Sequence, residues 1–275
     1  MKLVILICAG AIALSVSACE TVSNAQTTPA TVGRSPASAP SGQQPASVLT
    51  QERGARLEAA FSKFEYRLVG GETVGGVSDV DSVIWAMNWQ KEMLERHRNP
   101  AFIASGYAHN LWRSRQLSNS IKEASAVWFL ASQYLISLKG LECQDPTSSP
   151  ERLREVLAEF PVELKNYVDS LSRLDWLKIA SSALRIASDR AVFDAPGDDW
   201  ICRAGVTAYA WQAGFDALPA GVPPDLALAA KISSTRKRED YRPTFRKKAE
   251  FQTEFLQKYA TIQDSIVFDS LPRKE

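Results

Sequence analysis

The chain has 275 residues, 45% hydrophobic and 23% charged, which is enough apolar material for one substantial core. Its 32 Lys and Arg against 31 Asp and Glu leave a net charge of +1, which excludes the strongly basic balance of a general nucleic-acid binder. The four cysteines and two histidines do not fall at zinc-ligand spacing, so no metal or other cofactor is expected.

The chain opens with a basic Lys2, an apolar core from Leu3 to Leu14 and then small residues, the three parts of a secretory signal. That core is shorter than the roughly 20 apolar residues needed to span a bilayer, so residues 1–18 read as a removable signal peptide rather than a membrane helix. The signal ends in Val16-Ser17-Ala18-Cys19. These four residues, placed directly after a charged start and an apolar core, resemble the lipobox of bacterial lipoproteins. The resemblance covers the signal and Cys19 alone. It implies that Cys19 is lipidated, with palmitate among its acyl chains, and becomes the mature N-terminus. Each buried methylene would add about 0.8 kcal/mol of membrane affinity, so three acyl chains would hold permanently. Glu20 stands where enteric lipoproteins retained in the inner membrane carry Asp, and so implies the outer membrane, facing the periplasm.

Residues 19–50 are rich in Thr, Ser, Pro, Ala and Gln and contain no aromatic residue. Such a segment cannot bury enough apolar surface to offset its ordering entropy, which predicts a disordered tether reaching on the order of 30 Å as a coil.

Residues 51–275 carry helical periodicity throughout, and no stretch alternates as a half-buried strand, so the fold expected is all-α, an irregular multi-helix bundle in one compact domain. Leu57, Phe61, Phe64 and Leu68 form a first stripe ended by Gly70-Gly71, and GGETVGG reads as a loop. A second helix is predicted from Asp79 to about Arg98, with Val80, Ile84, Met87 and Leu94 inward and Trp85 and Trp89 beside them. Pro100 marks a break, followed by a helix holding Ile103, Tyr107 and Leu111. The stripe Ile121, Ala124, Trp128, Ala131, Leu135, Leu138 predicts a longer helix stopped at Gly140.

Ser148 and Glu151 stand at capping-box spacing, with Pro150 between them. The apolar positions that follow run from Leu153 to Leu184, too far for one globular helix, so breaks are expected at Pro161 and near Asp175. After the loop DAPGDDW comes a helix with Val206, Tyr209 and Phe215, then the breaker PAGVPPD and a short helix near Asp225. A final helix from about Arg242 to Val267 turns Phe251, Phe255, Tyr259, Ile262 and Ile266 to one side, and the tail beyond Pro272 is expected to be loose. The Trp, Gly, Tyr, Ala and Pro spacing of tetratricopeptide repeats does not recur.

Cys8 leaves with the signal and Cys19 is taken by lipid, which leaves Cys143 and Cys202 for an oxidising compartment, where a disulfide is the simplest outcome. Both flank breakers, so the bond would clasp the helices between them and stabilise by about 4 kcal/mol in the chain-entropy model.

Motifs that carry catalytic mechanism are missing: there is no HExxH, Walker A loop, GxSxG elbow or Rossmann glycine pattern. His97 lies in the charged run ERHR and His109 beside Asn110, neither in a recognisable catalytic setting. The carboxylate pairs Asp198–Asp199 and Glu92–Glu95 do not have the arrangement of a glycosidase couple. Trp200 is the tryptophan placed in a loop and therefore expected at the surface.

The most informative charge feature is the basic run that includes Arg236, Lys237, Arg238, Arg242, Arg246, Lys247 and Lys248. It opens a helix, where positive charge opposes the macrodipole, so stability alone does not account for its placement. It suits an acidic protein surface or an anionic headgroup such as lipopolysaccharide phosphate. The expectation is a protein held to the membrane through Cys19 whose helical domain binds an envelope protein as an assembly factor, scaffold or immunity lipoprotein. An enzyme acting on peptidoglycan or envelope lipid, and a small-ligand carrier, are the alternatives.

Overall fold

Caps and prolines divide the chain into helices largely where the sequence predicts, and burial decides which face of each turns inward. The computed structural model describes residues 46–63, 65–76, 79–96, 100–191, 199–215, 236 and 240–269. Cys19 with its signal peptide, most of the tether, Phe64, His97, Asp198, the breaker PAGVPPD with the helix expected near Asp225, Lys237, Arg238 and the tail lie outside them. Residues 44–275 form one compact unit. Among the described residues there are eleven α-helices and no strand, as an all-α bundle requires, and no helix is long and apolar enough to cross a membrane.

Helix α1 (Ala46–Ser62) starts inside the segment read as tether. The first stripe does not continue in one helix. The chain bends after α1, with Glu65 N bonded back to Ala60 O at 2.9 Å, and restarts as α2 (Tyr66–Gly70). The bend turns Tyr66 and Val69 inward and leaves Leu68 exposed. The glycine-rich GGETVGG is not a loop either, because α2 runs on as a π-helical turn over Gly71–Gly75. Thr73 anchors that turn from inside: its Oγ1 donates to Val69 O at 2.8 Å, and its carbonyl accepts from Asn110 Nδ2 at 2.7 Å. Outside, Glu72 holds Arg56 at 2.5 Å.

Asp79 caps α3 (Val80–Glu95) by accepting from Ser82 N at 2.8 Å. The buried face of α3 is rotated from the one expected. Ala86, Trp89, Gln90, Met93 and Leu94 are buried, whereas Val80 and Ile84 are 67% and 49% exposed. Trp89 meets Phe61 edge-on at 6.4 Å and Gln90 accepts from Asn110 Nδ2 at 3.0 Å, and together they set the rotation.

Helix α4 starts at the proline (Pro100–Arg113). Ser118 caps α5 (Asn119–Lys139), which passes at Gly140 into a short 3-10 turn ending at Glu142. The expected stripe on α5 is too narrow: Ile121, Ala124 and Trp128 are only half-buried, while Ser125, Ala126, Phe129, Leu130, Ser132 and Ile136 are buried. The reason is the central position of α5, which packs on α4 and on α8 (Arg173–Arg190) and also touches α6 (Ser148–Glu159), α7 (Val162–Asp169) and α11 (Lys248–Asp269). Buried serines are tolerated because they bond their own helix, Ser132 Oγ to Phe129 O at 2.8 Å.

Phe160-Pro161 separates α6 from α7, and the next turn ends at Ser172, which caps α8 through Asp175 N at 3.2 Å and donates to the Asp175 carboxylate at 2.6 Å. The capping box expected at Ser148 and Glu151 does not form. Ser148 Oγ is drawn instead to Cys202 O at 3.3 Å, and Glu151 pairs with Arg154.

The expected disulfide joins Cys143 to Cys202 with Cα atoms 5.3 Å apart, tying the end of α5 to α9 (Asp199–Cys202). Around it the backbone is tightly knotted. Asp145 Oδ1 accepts from Thr147 N and Oγ1 at 2.9 and 2.6 Å, and Oδ2 from Thr207 N at 2.8 Å, at the start of α10 (Val206–Gln212). Gly205 fits into this knot only without a side chain, since a Cβ would overlap Asp145 Oδ2 and Ser148 Oγ. The chain before α11 crosses the same point, with Gln144 N bonded to Thr244 O at 3.0 Å and Arg246 N to Glu142 O at 2.8 Å. Helix α11 then buries Phe251, Ile262 and Ile266 and rests on α8 and α5.

Three stability predictions follow from this knot. Reduction of the disulfide should lower unfolding free energy by about 2–5 kcal/mol, read by denaturant titration with and without reductant. Gly205→Ala should cost about 2–3 kcal/mol by the same measurement, from overpacking and displaced Asp145 bonds. Burial raises the Asp145 carboxyl, but hydrogen bonds from Thr147 and Thr207 outweigh it and hold the pKa below its ordinary value. Its contribution is therefore present above the unfolded value and lost as pH falls through the folded one. The stability difference between wild type and Asp145→Asn should be constant above about pH 5 and shrink as pH drops below about 4.

Candidate functional site

Two helix faces with the same spacing line one cavity of about 420 Å³. Phe102, Ser105, Gly106 and His109 come from α4, and Arg152, Glu155, Val156 and Glu159 from α6, each set at i, i+3, i+4, i+7. The π-helical turn closes one end with Gly71, Thr73 and Gly75 beside Arg67, and Trp200 and Arg203 enter from α9 and the residue after it. Gln90 of α3 lines the cavity from below.

The charged groups are held in place. Arg152 donates to Glu155 Oε2 at 2.5 Å and to the Trp200 carbonyl, and its guanidinium lies 4.3 Å from the centre of the Trp200 ring. The other Glu155 oxygen accepts from the Tyr209 hydroxyl. Arg203 pairs with Asp199 at 3.4 Å. Burial raises the Asp199 carboxyl against the opposing charges of Arg203 and Arg242. Phe102 meets Trp200 edge-on at 5.2 Å, and Phe160 stacks against His109 at 6.3 Å.

Other lining groups have no such engagement. Gln90 is 1% exposed, and its Oε1 accepts from Asn110, but its Nε2 donates to no described protein group. Arg67, Ser105 and His109 likewise make no side-chain hydrogen bond or ion pair among the described residues. Burial, and secondarily the charge of Arg113, holds the His109 pKa below the usual imidazole value, so the ring is neutral at pH 7 and offers one donor and one acceptor. A neutral imidazole can take a proton, whereas Glu155 has both oxygens occupied.

Sequence reasoning placed Trp200 at the surface. It is 8% exposed, because the disulfide draws α9 into the fold. Gln90, Arg152, Glu155, Glu159 and Arg203 were not foreseen as site residues. Their signal is a polar group at core spacing, as at Arg152 beside Val156. Of the carboxylate pairs considered, Glu92 is an exposed partner of Arg96, and Asp199 is bound to Arg203.

The basic run is divided. Arg236 lies 5.3 Å from the Trp211 ring centre, and Arg246 forms paired bonds of 2.7 and 2.9 Å with Glu254. Arg242, Lys247 and Lys248 are exposed, and Phe245 between them is 37% exposed. Only Lys248 belongs to α11, so most of the run precedes that helix rather than opening it.

Among the described residues, no group of three or more His, Cys, Asp or Glu side chains is placed to hold a metal ion. No known protein family, curated protein or solved structure matches this chain.

Proposed function

We propose that this is a lipid-anchored cell-envelope protein, on the periplasmic face of the outer membrane, whose helical domain binds another protein. The observation that carries the anchor is Val16-Ser17-Ala18-Cys19 directly after a charged start and an apolar core. The support for docking is Phe245, exposed and flanked by Arg242, Lys247 and Lys248. An aromatic anchor ringed by cations suits an acidic protein surface, with the charges steering encounter and the ring supplying buried area. Arg236 and Arg246 of the same run are engaged with Trp211 and Glu254. Lys237 and Arg238 are part of the same basic run in the sequence, and anionic lipid or lipopolysaccharide phosphate is a further candidate for the patch.

A second reading, an enzyme acting on peptidoglycan or envelope lipid, is favoured by one observation: His109, Glu155 and Glu159 line the same cavity as Arg152 and Arg203.

Cys19→Ser should leave the chain without acyl mass and move it from the membrane to the soluble envelope fraction, read by intact-mass spectrometry and fractionation. A wild-type chain with an unmodified Cys19 would remove the envelope assignment. A photo-crosslinking amino acid at position 245 should capture an envelope protein in cells, and Lys247→Glu with Lys248→Glu should reduce the adduct at least several-fold. If no adduct forms while the purified full chain releases fragments from isolated cell wall and His109→Ala does not, the enzymatic reading replaces the docking one.

A further inference from the structure

We infer that the cavity between α4 and α6 binds a small monocarboxylate with an apolar body. The uncommitted groups facing it set the chemistry. Arg67 at its rim, Ser105 on its wall and Gln90 beneath it all supply donors with no described partner. Neutral His109 adds a fourth. The Gln90 amide is the most telling of these. Its Nε2 faces the cavity with no described protein acceptor, so a ligand oxygen there would meet a donor held in place by the Asn110 bond to Oε1.

The space around the Gln90 amide is also built. A Cβ on Gly106 would stand 2.7 Å from Gln90 Nε2 and 3.3 Å from Val74 Cγ2, so the glycine on α4 is what lets the amide approach. Arg152 is paired with Glu155 and Arg203 with Asp199, so among the described residues Arg67 is the cationic lining group left to meet an anion. Guanidinium and amide N–H groups match the planar acceptor pair of a carboxylate.

Phe102, Ile103, Val156, Phe160 and Trp200 supply the apolar surface that favours a ligand with a hydrophobic body over a bare inorganic ion. The volume of about 420 Å³ falls within the range of small-molecule sites. The groups proposed to bind here are other side chains than those around Phe245, so ligand binding can hold or fail without deciding the docking proposal.

The test is a titration of the detergent-solubilised full chain with 4-phenylbutyrate, its uncharged amide 4-phenylbutyramide, and inorganic phosphate, followed by calorimetry. Saturable binding of the carboxylate is expected, at least tenfold tighter than the amide and tighter than phosphate. Gln90→Glu, which replaces the donor by a second acceptor, should weaken the carboxylate at least tenfold. Since that residue is buried, Arg67→Glu at the exposed rim provides a variant that leaves the core untouched and should weaken binding several-fold. Equal affinity for acid and amide, preference for phosphate, no saturable binding, or wild-type affinity in Arg67→Glu would each overturn the proposal.

Discussion

The disulfide between Cys143 and Cys202 is the constraint on which the arrangement of the site depends. α9 is a single turn and could not hold its position by its own helical bonds, since a nucleus of that length is unfavourable in isolation. The covalent link fixes it against the end of α5, and Trp200 and Arg203 are carried by the same turn and its exit. Trp200 can then lie beneath the Arg152 guanidinium, and the Ser148 hydroxyl reaches the Cys202 carbonyl. One bond between distant cysteines therefore determines how α6 and α9 share a wall.

The surrounding polar groups reinforce that bond instead of competing with it. Lys139 and Glu142 form a buried ion pair next to Cys143. Burial raises the Glu142 carboxyl and the adjacent lysine opposes that shift, so the pair holds together only while its geometry is kept. Asp145 ties two turns with backbone donors, and the strand-like crossing of Glu142 and Gln144 with Thr244 and Arg246 brings the chain before α11 to the same place. Three segments far apart in sequence thus meet at one junction.

Much of the helical framework was legible because its signals are local. Asp79 caps α3 through a residue three positions away, Pro161 stops α6, and Ser172 with Asp175 begins α8. The disulfide was legible because Cys8 and Cys19 fall in the expected signal and lipobox, which leaves Cys143 and Cys202 to pair. What was not legible required knowledge of neighbours. The buried surface of α5 is wider than one stripe because other helices touch it on several sides, and α3 is rotated because Gln90 answers Asn110, twenty residues away. The glycine-rich segment reads as a loop until Asn110 is known to donate to the Thr73 carbonyl. Ser148 and Glu151 have capping spacing, yet the disulfide brings a better acceptor to Ser148.

The same distinction explains why the cavity was hidden. Its residues are polar side chains at positions where helical periodicity assigns core; beside the local pairs Arg152–Glu155 and Arg203–Asp199, the contacts that hold them come from other helices, the Trp200 carbonyl for Arg152 and the Tyr209 hydroxyl for Glu155. The basic run and this wall also share one electrostatic neighbourhood, since Arg242 acts on both Asp199 and Arg203. Arg242 opposes the burial that raises Asp199 and adds to the burial that lowers Arg203, so it favours the charged carboxylate while opposing the second guanidinium. The two features that composition presents separately, a run of cations and a scatter of polar residues in core positions, are joined through that buried pair.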